Sequence, residues 1–235
     1  MNVAIIAAAG QGTRLGGKLA KQFLELAGVP VIIHTLKKFE QCAEIQEVVL
    51  VLPAPDAAGF LELVGKYELR KLRRVVAGGA TRSESVWRGL QSVREATAEI
   101  VAVHDGVRPF VTPEEITRTV EAARLSGAAI LTAVPVDTIK EVENNRVVRT
   151  LERTRLRRAL TPQCFRYELL RRAYEQPHEL VKDATDDSSL VEALGIAVTI
   201  VEGDARNIKI TRPEDLALGE MILKQNSGVG IRKPE

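Results

Sequence analysis

The sequence predicts an α/β fold, a mostly parallel sheet with helices packed on both faces. Short runs of branched apolar residues (Val3–Ile6, Val48–Leu52, Ile100–Val103, Ala128–Val134) alternate with segments of helical spacing. Such runs suit strands buried on both sides, and their alternation with helices is the pattern of βαβ units. At 235 residues and 45% hydrophobic, the chain has material for one full core. The loops at Ala7–Gln22, Gly78–Ser85 and Asp105–Pro109 each follow an apolar run, and open parallel sheets bind ligands where their strands end.

Taken in order, Val3-Ala4-Ile5-Ile6 is the first strand. It leads into Ala7-Ala8-Ala9-Gly10-Gln11-Gly12-Thr13-Arg14-Leu15-Gly16-Gly17-Lys18-Leu19-Ala20-Lys21-Gln22, a loop of small, basic and amide residues. Small residues admit a phosphate close to the backbone, and Arg14, Lys18 and Lys21 supply charge; a plain strand-to-helix turn would tolerate the same glycines. Two familiar phosphate loops fail by counting. Gly-x-Gly-x-x-Gly meets Leu15 at its third glycine, and the P-loop spacing from Gly12 to Lys18 ends in Leu19 where a hydroxyl is needed. A strand followed by Ala-Ala-Gly-x-Gly-x-Arg and a Lys-Gln pair does fit.

Pro30 opens a helix over Val31–Phe39, Glu47–Leu52 is a strand stopped by Pro53, residues 57–66 form a helix and Arg74–Ala77 a short strand. Thr81 and Glu84 make a capping box for a helix through Arg94. Thr112 and Glu115, with Pro113 in the first turn, do the same for a helix closed by Gly127. Ile100–His104 and Ala128–Val134 are strands. The region 135–160 breaks the rhythm: Asp137–Val142 and Val147–Leu151 flank Asn144-Asn145 as a hairpin, followed by Arg153, Arg155, Arg157 and Arg158. One face of such a hairpin has to be covered, and a partner subunit is one candidate. Helices near 166–176 and 186–194, strands at Ala197–Val201 and Asn207–Ile210, and a last helix from Thr211-Arg212-Pro213-Glu214 complete the order. The expected organisation is one Rossmann-like domain over 1–225, an inserted β-arm at 137–158, and a flexible tail over 226–235.

Basic and acidic residues nearly cancel, 33 against 31, which gives no case for a general nucleic-acid surface and makes basic clusters local anion sites; 4% aromatic residues argue against a stacking platform for single strands. Cys42 and Cys164 have neither metal nor disulfide spacing, and no run approaches a membrane span. The expectation is a soluble cytoplasmic protein with no membrane partner.

Single residues allow two readings each. Asp105 sits at a strand end before Gly106, where it caps a turn or meets a nucleotide or its Mg²⁺. Lys209, between Ile208 and Ile210, points away from the core. Arg108 and Arg153 fit a solvated surface, Ser85 a first helical turn, and Thr138 and Thr161 caps or strand positions. His34, His104 and His178 have no metal spacing, and His104 faces the side of its strand end opposite Asp105. Without a Gly-x-Ser-x-Gly elbow, hydrolase chemistry of that type has no support.

Together the loops carry a resemblance. The first loop resembles the signature segment of sugar-nucleotide-type nucleotidyltransferases. The whole set is similar to the 2-C-methyl-D-erythritol 4-phosphate cytidylyltransferase family: Ala7-Ala8-Ala9-Gly10 to Arg14, Lys21-Gln22, Gly78-Gly79-x-x-Arg82-x-x-Ser85-Val86 and His104-Asp105-Gly106-Val107-Arg108-Pro109-Phe110. Pro135-Val136-x-Thr138-x-Lys140, Leu160-Thr161-Pro162-Gln163-x-Phe165, Thr185-Asp186-Asp187 and Asn207-Ile208-Lys209-x-Thr211-Arg212-Pro213-Glu214-Asp215 continue it to about Leu223.

The resemblance implies transfer of the cytidylyl group of CTP, with Mg²⁺, to an alcohol phosphate of non-mevalonate isoprenoid synthesis. Arg14 and Lys21 then stabilise the α-phosphate in the transition state, with Arg153 and Lys209 in the catalytic set. Ala8, Ala9, Gly10, Gly12, Gly79, Arg82, Ser85, Asp105 and Gly106 belong with the nucleotide. Asp105, Arg108, Thr138, Arg153, Thr161 and Lys209 belong with the acceptor, and Asp105 is the candidate metal contact beside the CTP phosphates. The hairpin arm implies a homodimer in which Arg153 serves the partner's site. Ala20 departs from the family, where Pro is expected before Lys21-Gln22. The nearest alternative is ribitol 5-phosphate as acceptor. A dinucleotide-dependent oxidoreductase lacks its glycine spacing, and a non-catalytic nucleotide-binding domain has no need of Arg14, Lys21 and Lys209.

Overall fold

The computed structural model describes residues 1–10 and 21–226. Among them, seven strands form one sheet, ordered across it as Thr199–Glu202 (β11), Ala128–Ala133 (β7), Arg158–Arg166 (β10), Ile100–Asp105 (β6), Val3–Ala7 (β1), Glu47–Leu52 (β4) and Leu72–Ala77 (β5). Neighbours run parallel except β10, which is antiparallel to both β6 and β7. The expected α/β architecture is present.

Alternation along each strand divides the core. Ala4, Ile6, Leu50 and Leu52 face the helices Val31–Gln41 (α1) and Pro113–Ser126 (α4), meeting Ile32, Leu36, Phe39, Ile116 and Val120. Val3, Ile5, Val49 and Val51 face the other layer, Arg82–Gln91 (α3), Tyr167–Tyr174 (α5) and Asp187–Glu192 (α7), through Val86, Leu90, Leu170 and Leu190. Each fully buried valine, leucine, isoleucine or phenylalanine among them contributes about 1.5–3 kcal/mol relative to exposure. A smaller cluster joins Leu26, Val31, Phe110 and Ile210 to Ile222 of the last helix, Pro213–Asn226 (α8). Two further helices, Ala57–Val64 (α2) and His178–Asp183 (α6), and the two-stranded pair Glu25–Leu26 (β2) with Val29–Pro30 (β3) complete the main body.

The capping box at Thr112 and Glu115 is present with both arms, and Gly127 closes α4 at φ +90°. At Thr81 only half the expected box forms. Thr81 Oγ1 accepts from Glu84 N at 3.1 Å, but the Glu84 carboxylate accepts from Ala80 N, and α3 ends at Gln91 instead of Arg94. His178 opens α6.

Two strand assignments change. The sequence marks no strand between the hairpin arm and the helix near 166, yet Arg158–Arg166 is one, although Pro162 cannot donate to a ladder. The sheet accommodates it by a register break: Ala159 lies opposite Thr132 and Gln163 opposite Ile130, which sets Leu160–Pro162 out of the ladder. Conversely, Asn207–Ile210 is not a strand. Its amides are taken singly, Ile208 N by Arg206 O and Ile210 N by Val107 O. Its alternation reflects Ile210 entering the α8 cluster while Lys209 turns to the sheet edge.

The expected hairpin is Lys140–Glu143 (β8) with Arg146–Thr150 (β9), turning through Asn144 and Asn145 at φ +48° and +61°. Asparagine tolerates that left-handed geometry, which a two-residue hairpin turn requires. Val142, Val147 and Val148 are exposed on it. Among the described residues no helix is long and apolar enough to cross a membrane.

Candidate active site

Register brings the chemistry together. Ala7, the last residue of β1, lies opposite both Val51 of β4 and Asp105 of β6, so Ala8–Gly10 leave the sheet beside the Asp105 carboxylate. Ala77 ends β5 opposite Leu52, which sets Gly78 and Gly79 on the same edge. Here a cleft of about 490 Å³ is lined by Ala8, Ala9, Gly10, Gly79, Arg82, Ser85, Asp105 and Lys209, all expected at the site. Ser85 sits deeper than a first-turn residue needs to, and its Oγ accepts from Gly79 N at 3.0 Å while donating to Thr81 O at 2.8 Å. Gln22 lines the same cleft and is buried.

Asp105 is the electrostatic centre. Its Oδ1 takes Arg82 Nε at 3.2 Å, and its Oδ2 takes Lys209 Nζ at 2.8 Å and Arg108 Nε at 3.3 Å. Burial works against the charged carboxylate, but Arg82, Lys209 and Arg108 outweigh it and hold Asp105 well below the usual carboxylate range. Lys209 thus reaches the cleft from a loop and Arg108 from the turn after β6. Arg108 also donates to Asn207 O at 2.9 Å, joining the two segments.

Behind Asp105 a buried polar relay fixes this turn. Thr161 Oγ1 lies 3.2 Å from Asp105 N and 2.9 Å from His104 Nδ1, while His104 Nε2 lies 3.1 Å from Arg108 O. Because the carbonyl can only accept, Nε2 carries the proton; the Thr161 hydroxyl then donates to Nδ1 and accepts from Asp105 N–H. Burial lowers the His104 pKa to about 4, so the imidazole is neutral. As expected, its ring faces away from the cleft, against Phe39. Thr161 therefore positions Asp105, and its side chain borders a cavity of about 240 Å³ shared with Asp105, Arg108 and Lys209.

Arg82 has a second carboxylate that residue-type reasoning missed. Its Nη2 lies 2.8 Å from Asp187 Oδ2, and Asp187 is fully buried. Tyr174 donates to Asp187 Oδ1 at 2.5 Å, and Gln163 Oε1 accepts from the amides of Asp187 and Ser188. Burial disfavours the guanidinium, but Asp187 and Asp105 reverse this and raise its pKa. The Thr185-Asp186-Asp187 segment was legible as a helix start, and Asp186 is the N-cap; the partner of Asp187 was not.

Other expected residues stand elsewhere. Gly106 is a packing position: its N–H goes to Ala7 O and its C=O accepts from Thr35 Oγ1, and a Cβ there would meet Ala8 Cβ at 2.7 Å. Its amide N–H is therefore not available to CTP. Thr138 and Arg153 are exposed at the root of the arm, where Arg153 Nη1 donates to Val136 O at 2.9 Å, and neither lines the cleft of its own chain. Gly12 and Arg14 lie outside the described residues, as does the tail beyond Asn226, and Lys21 is described only by the backbone of a 3-10 turn.

Asp105 does not fit the expected metal role. Both its oxygens are engaged by cationic side chains, and a divalent ion there would have to displace them. No group of three or more metal-ligating side chains occurs among the described residues.

The model of the family described as 2-C-methyl-D-erythritol 4-phosphate cytidylyltransferase matches residues 2–225. A relative of that name from Alkaliphilus metalliredigens is 46% identical over 224 residues, covering 94% of this chain and 92% of its own. One from Syntrophus aciditrophicus is 44% identical over 228 residues, covering 96% and 97%. The crystal structure of 4-diphosphocytidyl-2C-methyl-D-erythritol synthase from Anaerococcus prevotii superimposes with a TM-score of 0.83 at 33% identity, covering 95% of this chain and 96% of that one.

Proposed function

The chain belongs to the 2-C-methyl-D-erythritol 4-phosphate cytidylyltransferase family, and on that premise we propose how its cleft performs cytidylyl transfer from CTP to 2-C-methyl-D-erythritol 4-phosphate. The products are 4-CDP-2-C-methyl-D-erythritol and pyrophosphate. An oxygen of the alcohol phosphate attacks the α-phosphorus of CTP and a P–O bond forms. The bond from that phosphorus to the bridging oxygen breaks, and pyrophosphate leaves with the electron pair. The attacking phosphate is ionised at neutral pH, so the step needs no general base, and the neutral, buried His104 is not asked to be one.

What the step must overcome is repulsion between two anions. The observation that carries the proposal is the gathering of Arg82, Arg108 and Lys209 on one buried carboxylate at the cleft rim. Oriented cations in a partly desolvated site stabilise charge as it develops and hold the reactants in line. Ala8–Gly10, Gly79 and Ser85 take the nucleotide, with Arg82 and Asp105 beside it. Arg108 and Lys209 hold the acceptor phosphate. Gly12, Arg14 and Lys21 are assigned to the triphosphate from the resemblance alone.

Magnesium enters this proposal only as a companion of the CTP phosphates; no described residue is given to it. A homodimer is proposed from the exposed valines of the arm, with Thr138 and Arg153 completing the partner's acceptor site. Residues 1–225 are proposed as one domain and the protein as cytoplasmic. Incubation with CTP and the alcohol phosphate, followed by phosphorus NMR, tests the reaction: new diphosphate resonances and free pyrophosphate are expected, and unchanged CTP would oppose it.

A further inference from the structure

Arg158 is the first residue of β10. The direction of β10 decides where it lies: running antiparallel, it starts where its parallel neighbours end, with Arg158 opposite Ala133, the last residue of β7. An exposed basic residue in the sequence is thereby carried to the functional edge of the sheet. There it lines a cavity of about 220 Å³ with Arg108, Asn207 and Lys209, adjoining the main cleft through Lys209.

The charge arrangement is unusual for a resting surface. None of the described residues lining this cavity is acidic. Asp105, the nearby carboxylate, already serves Arg82, Arg108 and Lys209. Burial pushes the Arg108 guanidinium below its ordinary value, and after the opposing effect of Asp105 the positive charge of Arg158 lowers it further. Among the described residues Arg158 donates to Ala205 O, at a long 3.5 Å, which leaves other donors of its guanidinium open to a ligand. Two guanidiniums and an ammonium around a small cavity, with only the Asp105 carboxylate shared by Arg108 and Lys209 against them, suit an added anion, and the planar donors of arginine fit phosphate oxygens in pairs.

Resting on the acceptor assignment above, we propose that Arg158 contacts the acceptor phosphate within its own subunit, opposite Arg108 and Lys209, and thereby sets affinity for the phosphorylated alcohol. It is a binding residue supplied in cis, distinct from the Arg153 contribution expected from a partner.

The test compares full-length wild type with Arg158→Ala, Arg158→Lys and Arg157→Ala. Arg157 serves as control because it does not line this cavity and its Nη1 is held by the carbonyls of Thr154 and Leu156. At saturating CTP, Arg158→Ala raises KM for the alcohol phosphate roughly ten-fold, the loss of one charged hydrogen-bonding partner. Arg158→Lys recovers part of it, KM for CTP stays unchanged in both, and Arg157→Ala behaves as wild type. Equal acceptor KM in wild type and Arg158→Ala overturns the proposal, as does an equal rise in both KM values. Calorimetric binding of the two alcohol phosphates separates this from the acceptor assignment. If only ribitol 5-phosphate is turned over, that assignment falls, yet Arg158→Ala still weakens its binding. Equal affinity in folded Arg158→Ala overturns the role of Arg158 whichever alcohol is used.

Discussion

The hydroxyl of Thr161 lies 2.9 Å from Nδ1 of His104 and 3.2 Å from the amide of Asp105, so one side chain ties a buried neutral imidazole to the residue that gathers the cations of the cleft. This coupling has a pH signature. His104 has a folded pKa of about 4 against 6.5 for the free side chain. Between these values the unfolded chain holds the extra proton, so stability falls as pH drops from about 6.5 towards 4, by on the order of 3 kcal/mol. Denaturant melts at stepped pH should show that slope, and His104→Phe should lack it while being less stable at pH 7 by roughly 1–3 kcal/mol. The Asp105 contribution lies in a different window. Its folded pKa is depressed, so its stabilisation persists above the unfolded value near 4 and is lost only in stronger acid.

Asp105→Asn removes the negative charge from among Arg82, Arg108 and Lys209 and leaves them to repel one another. Steady-state kinetics should give a kcat/KM lower by roughly a hundred-fold, about 3 kcal/mol. A decrease below three-fold would remove Asp105 from the centre of the site.

Asp187→Asn leaves Arg82 with Asp105 alone and disturbs the acceptor of Tyr174. Breaking a buried pair from one side costs roughly 3 kcal/mol. Chemical denaturation should record that loss, together with a raised KM for CTP as Arg82 loses its fixed position.

Much of this site was legible because glycine turns and strand ends leave local marks. Ala8–Gly10, Gly79, Arg82, Ser85, Asp105 and Lys209 follow apolar runs or alternate with core residues, and the parallel sheet brings them to one edge. What stayed hidden depended on distant pairing. Asp187 is 82 residues from Asp105 in the chain, yet both grip Arg82. The strand that carries Arg158 and Thr161 is not marked in the sequence, since a register break that sets Pro162 out of the ladder has no signature in the residues themselves. The resemblance places Gly106 with the nucleotide, whereas here it packs against Ala7 and Ala8; close approach of backbone to a neighbour and to a phosphate demands the same residue.

The proposed sharing of Arg153 between subunits makes a prediction independent of any rate constant. Arg153→Ala and Lys209→Ala should each be nearly inactive as homodimers. Mixing them under exchange should restore activity towards a quarter of wild type at equal amounts, because half the dimers then hold one intact site of two. No recovery, with exchange verified by mass-tagged subunits, would place Arg153 in its own chain's site or outside catalysis.

The most direct measurement is pyrophosphate release by the purified protein with CTP and Mg²⁺, offered 2-C-methyl-D-erythritol 4-phosphate or ribitol 5-phosphate. Turnover with the first and little with the second is the predicted result. Folded protein that binds CTP but releases no pyrophosphate with methylerythritol phosphate would contradict the proposed reaction.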